Sequence, residues 1–102
     1  MYYLIICREA GELFFSSLAK NDWQLVNQIY PFFEGNSENA KMLKSKFGGL
    51  TIMQLGEPFK SGQYVGEFVP YEIRLQSGKT IRHNLALRND NPNKVWMVDG
   101  GF

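Results

Sequence analysis

The chain has 102 residues, of which 44% are apolar and 15% are aromatic, and its formal net charge is +1. This length predicts a single domain, residues 1–102, with one modest core. Lys and Arg are scattered along the chain rather than clustered, so nucleic acid is not a predicted partner. The single cysteine, Cys7, excludes an internal disulfide and a Cys-based zinc site.

Residues 1–7 are apolar, but they lack the positive region and the small-residue cleavage site of a signal peptide. They are also far too short to span a membrane. We interpret them as the first turns of a buried helix, and we predict a soluble, cytoplasmic protein without membrane contact.

Three helices are predicted in the first half of the chain. Apolar residues recur at a spacing of three and four over residues 2–20, which indicates a main helix with one apolar face. A second, shorter helix stops near Pro31, and a third continues to Phe47 before two glycines. The candidate N-cap residues of the second and third helices are Asn21 or Asp22, and Asn36 or Ser37.

After these helices the apolar period changes to two, which predicts four strands. Gly56 and Pro58 interrupt the first strand and favour an edge position or a bulge. The predicted strands cover residues 51–60, 64–76, 80–88 and 95–99. Helices followed by an antiparallel meander predict an α+β fold, in which the N-terminal helices pack on a curved four-stranded sheet.

The apolar faces of the second and third strands must share one core, which constrains their register. A three-residue loop with Gly78 in a left-handed conformation satisfies this requirement. It places Ile73 opposite Ile81 and Tyr71 opposite His83, so that His83 is predicted to face the core.

Two alternatives remain for the last strand. In the first, Asp99 faces the core opposite His83 and completes a row with Tyr71 across three strands. In the second, Trp96 and Val98 face the core, Asp99 points outward, and the row does not form.

The row of Tyr71, His83 and Asp99 is the candidate catalytic group. A carboxylate that accepts a hydrogen bond from one imidazole nitrogen leaves the other nitrogen free as a general base. A buried tyrosine hydroxyl can donate to a developing enolate oxygen. Alternatively, His83 only bonds Tyr71 or a backbone carbonyl within the core, as buried polar groups normally do.

The order of elements and the ending VPYEIRLQSGKTIRHNLALRNDNPNKVWMVDGGF resemble the nuclear transport factor 2-like superfamily. This is the cone-shaped, cystatin-like α+β fold of ketosteroid isomerases and SnoaL-type polyketide cyclases. The resemblance covers nearly the whole chain and rests on pattern rather than on a catalytic motif. It implies a pocket between the main helix and the concave sheet face, and a homodimer formed through the outer sheet face. The ligand-binding residues expected in that pocket are Phe14, Tyr30, Tyr71, His83 and Met97.

Residues 100–102 directly follow the last predicted strand, so the segment that closes the pocket in some members of the superfamily is expected to be missing. We interpret residues 100–102 as a flexible tail or, alternatively, as a segment that folds Phe102 back over the pocket.

Three functions remain open. The first is a binding protein for a small apolar ligand. The second is an isomerase, dehydratase or cyclase that acts on a small apolar carbonyl compound with His83 as general base. The third is a protein-interaction module with a solid core. An open pocket would favour the first two, and a filled core the third. No cofactor and no metal site are predicted.

Overall fold

The computed structural model describes residues 5–33 and 37–102, and it places helices before a four-stranded sheet. The helices are α1 (Cys7–Ala19), α2 (Trp23–Ile29) and α3 (Ser37–Met42), which continues as a π-helical turn, Leu43–Phe47. The strands are β1 (Thr51–Leu55), β2 (Glu67–Arg74), β3 (Thr80–Arg88) and β4 (Met97–Gly100). The predicted α+β class is confirmed. No helix within the described ranges is both long and apolar enough to cross a membrane.

Local capping sets the bounds of the first two helices. The backbone of Ile6 is extended, and its N–H donates to the Glu9 carboxylate at 3.1 Å, so α1 begins only at Cys7. Asn21, with a φ of +57°, takes the left-handed conformation that commonly ends a helix. Asp22 then accepts a hydrogen bond from the next helix and is its N-cap. The predicted turns at residues 2–4 and the candidate cap Asn36 lie outside the described residues.

The strands form an antiparallel meander in the order β1-β2-β3-β4. The predicted register between β2 and β3 is confirmed, since Tyr71 pairs with His83 and Ile73 with Ile81. Gly78 has the positive φ, +97°, that the predicted loop requires. β1 lies at the sheet edge and is shorter than predicted, with a register irregularity before Gln54.

The last strand follows the second of the two predicted alternatives. Leu87 pairs with Val98, and the register shifts beside this pair, which makes Asp99 the additional residue of a bulge. Val98 is 1% exposed and therefore belongs to the core. β4 begins later than predicted because the Asn91 side chain binds both backbone groups of Val95, at 2.7 and 2.9 Å.

The core lies between α1 and one face of the sheet, which we call the inner face. Burial alternates along β2 and towards the end of β3, as their apolar periods predict. The side chains that join α1 and the sheet in this core include Phe14, Phe15, Leu18, Val69, Ile73, Leu85 and Leu87, all fully buried. The opposite face of the sheet, which we call the outer face, carries the alternate residues.

Candidate functional site

His83 does not have the buried environment that was predicted for it. Tyr71, directly opposite, is 4% exposed and packs on the ring of Phe15 at 4.6 Å between centroids, whereas the His83 side chain is exposed. The two rings of the predicted pair are 6.4 Å apart. Within residues 5–33 and 37–102, no hydrogen bond or ion pair reaches the His83 side chain. Core packing therefore covers Tyr71 and leaves the imidazole in solvent.

Asp99 does not join His83 either. Its carboxylate accepts a hydrogen bond from the Tyr64 hydroxyl at 2.7 Å and lies 3.7 Å from the Arg88 guanidinium. Burial, followed by this hydrogen bond, raises the pKa of Tyr64. The predicted row of Tyr71, His83 and Asp99 is thus not formed, because the bulge in β4 directs Asp99 towards Tyr64. Tyr64 was not among the predicted site residues, because its partner Asp99 is 35 residues away along the chain.

The Tyr71 hydroxyl binds a backbone group instead of a side chain. It donates a hydrogen bond to the carbonyl oxygen of Gly101 at 2.7 Å. Burial raises the pKa of Tyr71 to about 12, so the hydroxyl stays protonated at neutral pH and remains a donor. The Tyr71 hydroxyl is therefore already paired with a backbone carbonyl oxygen.

The ring of Phe102 packs against three buried rings in the helical half of the chain. It stacks on Phe14 at 5.5 Å and meets Tyr30 at 5.3 Å and Phe47 at 5.9 Å in edge-to-face geometry, all between ring centroids. Phe102 itself is partly exposed, whereas the three rings beneath it are buried. Phe102 thus folds back onto the core, which is the second of the two alternatives for residues 100–102, and we call these residues the closing segment.

Glycine is required where the closing segment passes β3. Gly101 has a φ of +97°, and a Cβ atom there would lie 2.2 Å from the carbonyl oxygen of Asn84. Only a residue without a side chain can approach the strand this closely. The two glycines before Phe102 were the sequence signal for this path, because they permit a backbone that other residues rarely adopt.

The structure brings three of the five predicted ligand-binding residues together around the closing segment. Phe14 and Tyr30 contact the Phe102 ring, and Tyr71 contacts the Gly101 carbonyl. His83 is exposed, and Met97 lines a separate cavity of about 330 Å³ beside Phe32 and Arg88.

Two further cavities lie at the surface of the described part of the chain. One, of about 690 Å³, opens mainly on the outer sheet face, and Tyr71 and His83 line it together with Gln54, Gly56, Pro70, Glu72, Arg82 and Asn84. Another, of about 400 Å³, lies between α1 and β1. Beside α1, the partly exposed ring of Phe102 packs on the buried rings of Phe14, Tyr30 and Phe47.

The remaining candidates for reactive chemistry are few. Cys7 is 5% exposed, and burial raises the pKa of its thiol to about 12, which leaves it un-ionised and unreactive. Among the residues that the structure describes, no three His, Cys, Asp or Glu side chains converge as metal ligands do.

Comparison of the chain with protein-family models, with curated proteins and with solved structures finds no match. The structure alone therefore supports the α+β class, and the resemblance to the nuclear transport factor 2-like superfamily stays a proposal.

Proposed function

We propose that this protein is a binding protein of the nuclear transport factor 2-like type, which holds one small apolar ligand between α1 and the inner sheet face. The observation that supports this proposal is the position of the Phe102 ring. Phe102 belongs to no helix or strand, yet its ring contacts the buried rings of Phe14, Tyr30 and Phe47.

The place of Phe102 suits a free ligand for two reasons. First, stacked and edge-to-face contacts between rings do not depend on a covalent link to the chain. Second, the Phe102 ring is partly exposed whereas the three rings that it contacts are buried, so it can leave without opening the sheet core. An engineered apolar cavity of about 150 Å³ in another protein, lined by Leu, Ile and Phe, stays dry and binds benzene, so an apolar space of this kind accepts an aromatic ring.

The test is ring binding to the full chain with Phe102→Ala. Ethylbenzene, followed by NMR, is expected to bind this variant saturably and to shift the resonances of Phe14, Tyr30 and Phe47. Phe32→Ala is the matched control, because Phe32 is 57% exposed and its ring contacts Tyr30 from outside the closing segment, at 6.0 Å. If Phe102→Ala binds no more ethylbenzene than Phe32→Ala, the core is solid and the interaction-module alternative is preferred.

The isomerase, dehydratase or cyclase alternative has less support. Its general base, His83, is exposed, and its orienting carboxylate, Asp99, contacts Tyr64 and Arg88. An imidazole without a fixed tautomer is a poorly positioned base. We therefore prefer the binding protein.

We also propose that the protein forms a homodimer through the outer sheet face. Glu72 and Arg82 lie on neighbouring strands there, 3.2 Å apart, and the Arg82 side chain is 75% exposed. In a two-fold interface each copy presents the same patch, so a patch with both charges is complementary to itself. Met53, 45% exposed on the edge strand, adds apolar surface.

Light scattering after gel filtration tests the homodimer. Arg82→Glu places like charges at the interface and is expected to yield a monomer, whereas Glu72→Arg combined with Arg82→Glu is expected to restore the dimer. Lys79→Glu makes the same charge change in the β2–β3 loop and serves as the control. A wild-type protein that is monomeric at high micromolar concentration would rule out this part of the proposal.

A further inference from the structure

We propose that the ligand is an uncharged arylalkyl carbonyl compound that displaces the closing segment. It would reproduce both the hydrogen bond of the Gly101 carbonyl and the ring contacts of Phe102. Its carbonyl oxygen would accept the hydrogen bond from Tyr71, and its ring would replace that of Phe102. This inference rests on the proposed function of the same site. The closing segment is then an internal competitor that has to leave before the ligand enters.

The carbonyl half of the site follows from the burial of Tyr71. A buried hydroxyl without an acceptor carries the full desolvation cost of an unpaired polar group. In the closed structure the Gly101 carbonyl satisfies that hydroxyl at 2.7 Å. When the closing segment leaves, the hydroxyl needs another acceptor, and a ligand that brings a carbonyl oxygen supplies it.

The aromatic half follows from the ring geometry around Phe102. The stacked contact with Phe14 has an interplanar angle of 29°, and the edge contacts with Tyr30 and Phe47 have angles of 84° and 74°. Offset stacking and edge-to-face packing are the favoured arrangements of aromatic pairs. An aryl group can keep all three contacts, whereas an aliphatic chain cannot.

The ligand is expected to be uncharged because of the groups that contact the closing segment. Within the described residues, the hydrogen bonds and ring contacts of Gly101 and Phe102 involve no charged side chain. A charged ligand in this position would be desolvated without a counter-charge.

The covalent structure of the closing segment gives the spacing of the two groups. The amide nitrogen, Cα and Cβ of Phe102 separate the Gly101 carbonyl carbon from the ring. N-(2-phenylethyl)acetamide reproduces this connection and is the probe for the proposal. Butylbenzene has the same ring and a similar length but no carbonyl, and it is the matched control.

Two substitutions open the site to different extents. Phe102→Ala removes the ring but leaves the Gly101 carbonyl on Tyr71. Gly101→Ala cannot keep the closed backbone, because its Cβ would lie 2.2 Å from the Asn84 oxygen, so it releases both contacts. Gly78 has the same φ of +97° with no atom within 4 Å of its Cβ position, and Gly78→Ala therefore controls for backbone strain alone.

The experiment measures the affinity of both probes for full-length variants by NMR titration. In the Gly101→Ala background, Tyr71→Phe is expected to weaken the amide roughly fivefold, as the loss of one hydrogen bond does, and to leave butylbenzene unchanged. In the Phe102→Ala background, Tyr71→Phe is expected to change neither affinity, because Gly101 still occupies the hydroxyl. Gly78→Ala is expected to bind both probes as the wild type does.

The outcomes separate this inference from the proposed function. If both probes bind Gly101→Ala and Tyr71→Phe changes neither affinity, the carbonyl assignment is wrong while the binding site stands. If neither probe binds, both proposals are wrong. If Gly101→Ala does not fold, the wild type decides: millimolar amide should shift the Gly101 and Phe102 resonances saturably, and the absence of such shifts overturns the inference.

Discussion

Phe102→Ala should destabilise the protein far more than a truncation at the surface would. Removing a fully buried Phe side chain costs about 3–5 kcal/mol. Phe102 is only partly buried, although it contacts three buried rings, so we expect a loss of about 2 kcal/mol in the free energy of unfolding. In a domain of this size, that loss lowers Tm by about 8–16 °C.

The assay is thermal and urea denaturation followed by circular dichroism, with Phe32→Ala as the control. Phe32 is 57% exposed, so its truncation should change the free energy of unfolding by no more than about 0.5 kcal/mol. Equal losses in the two variants would refute the reasoning, because they would mean that the closing segment does not cover the core in solution.

Three further predictions concern single side chains. Asp22→Ala removes the hydrogen bond to the Leu25 N–H, 3.2 Å, and should cost about 1 kcal/mol in urea denaturation, while Asp22→Asn should cost little. The Arg88 guanidinium lowers the pKa of Asp90 to about 2, below its ordinary value of 3.8. Because this pKa is lower in the folded than in the unfolded state, the ionised Asp90 carboxylate stabilises the folded state above about pH 4, and this stabilisation is lost as the pH falls towards 2. Asp90→Asn should therefore flatten the dependence of stability on pH in this range. Cys7 should resist iodoacetamide at pH 8 in the folded protein and react with it in urea, since burial raises the pKa of its thiol to about 12. Rapid labelling of the folded protein would contradict the buried position of Cys7.

Local chemistry explains the elements that could be predicted. The alternation of apolar residues fixes which faces of β2 and β3 meet the core, and Gly78 allows the loop that aligns them. Asp22 is an N-cap because its carboxylate reaches the first turn of α2. These signals act within a few residues, so the sequence displays them directly.

The candidate site was only partly predictable. Phe14 and Tyr71 lie at the closing segment because their positions follow from helix and strand periods, and Tyr30, the C-cap residue of α2, contacts it as well. The exposure of His83 could not be predicted, because alternation assigns a side chain to a face and does not show how far the helices cover that face.

The sequence by itself determined the α+β class, the meander and the register of β2 with β3. The tertiary structure decided the setting of β4, where two faces of similar apolar character compete. Val98 enters the core, Asn91 holds Val95 out of the strand, and the bulge turns Asp99 to Tyr64. It also decided the place of Phe102, because that ring packs on a surface created only when Phe14 in α1, Tyr30 directly after α2 and Phe47 in the π-helical turn come together.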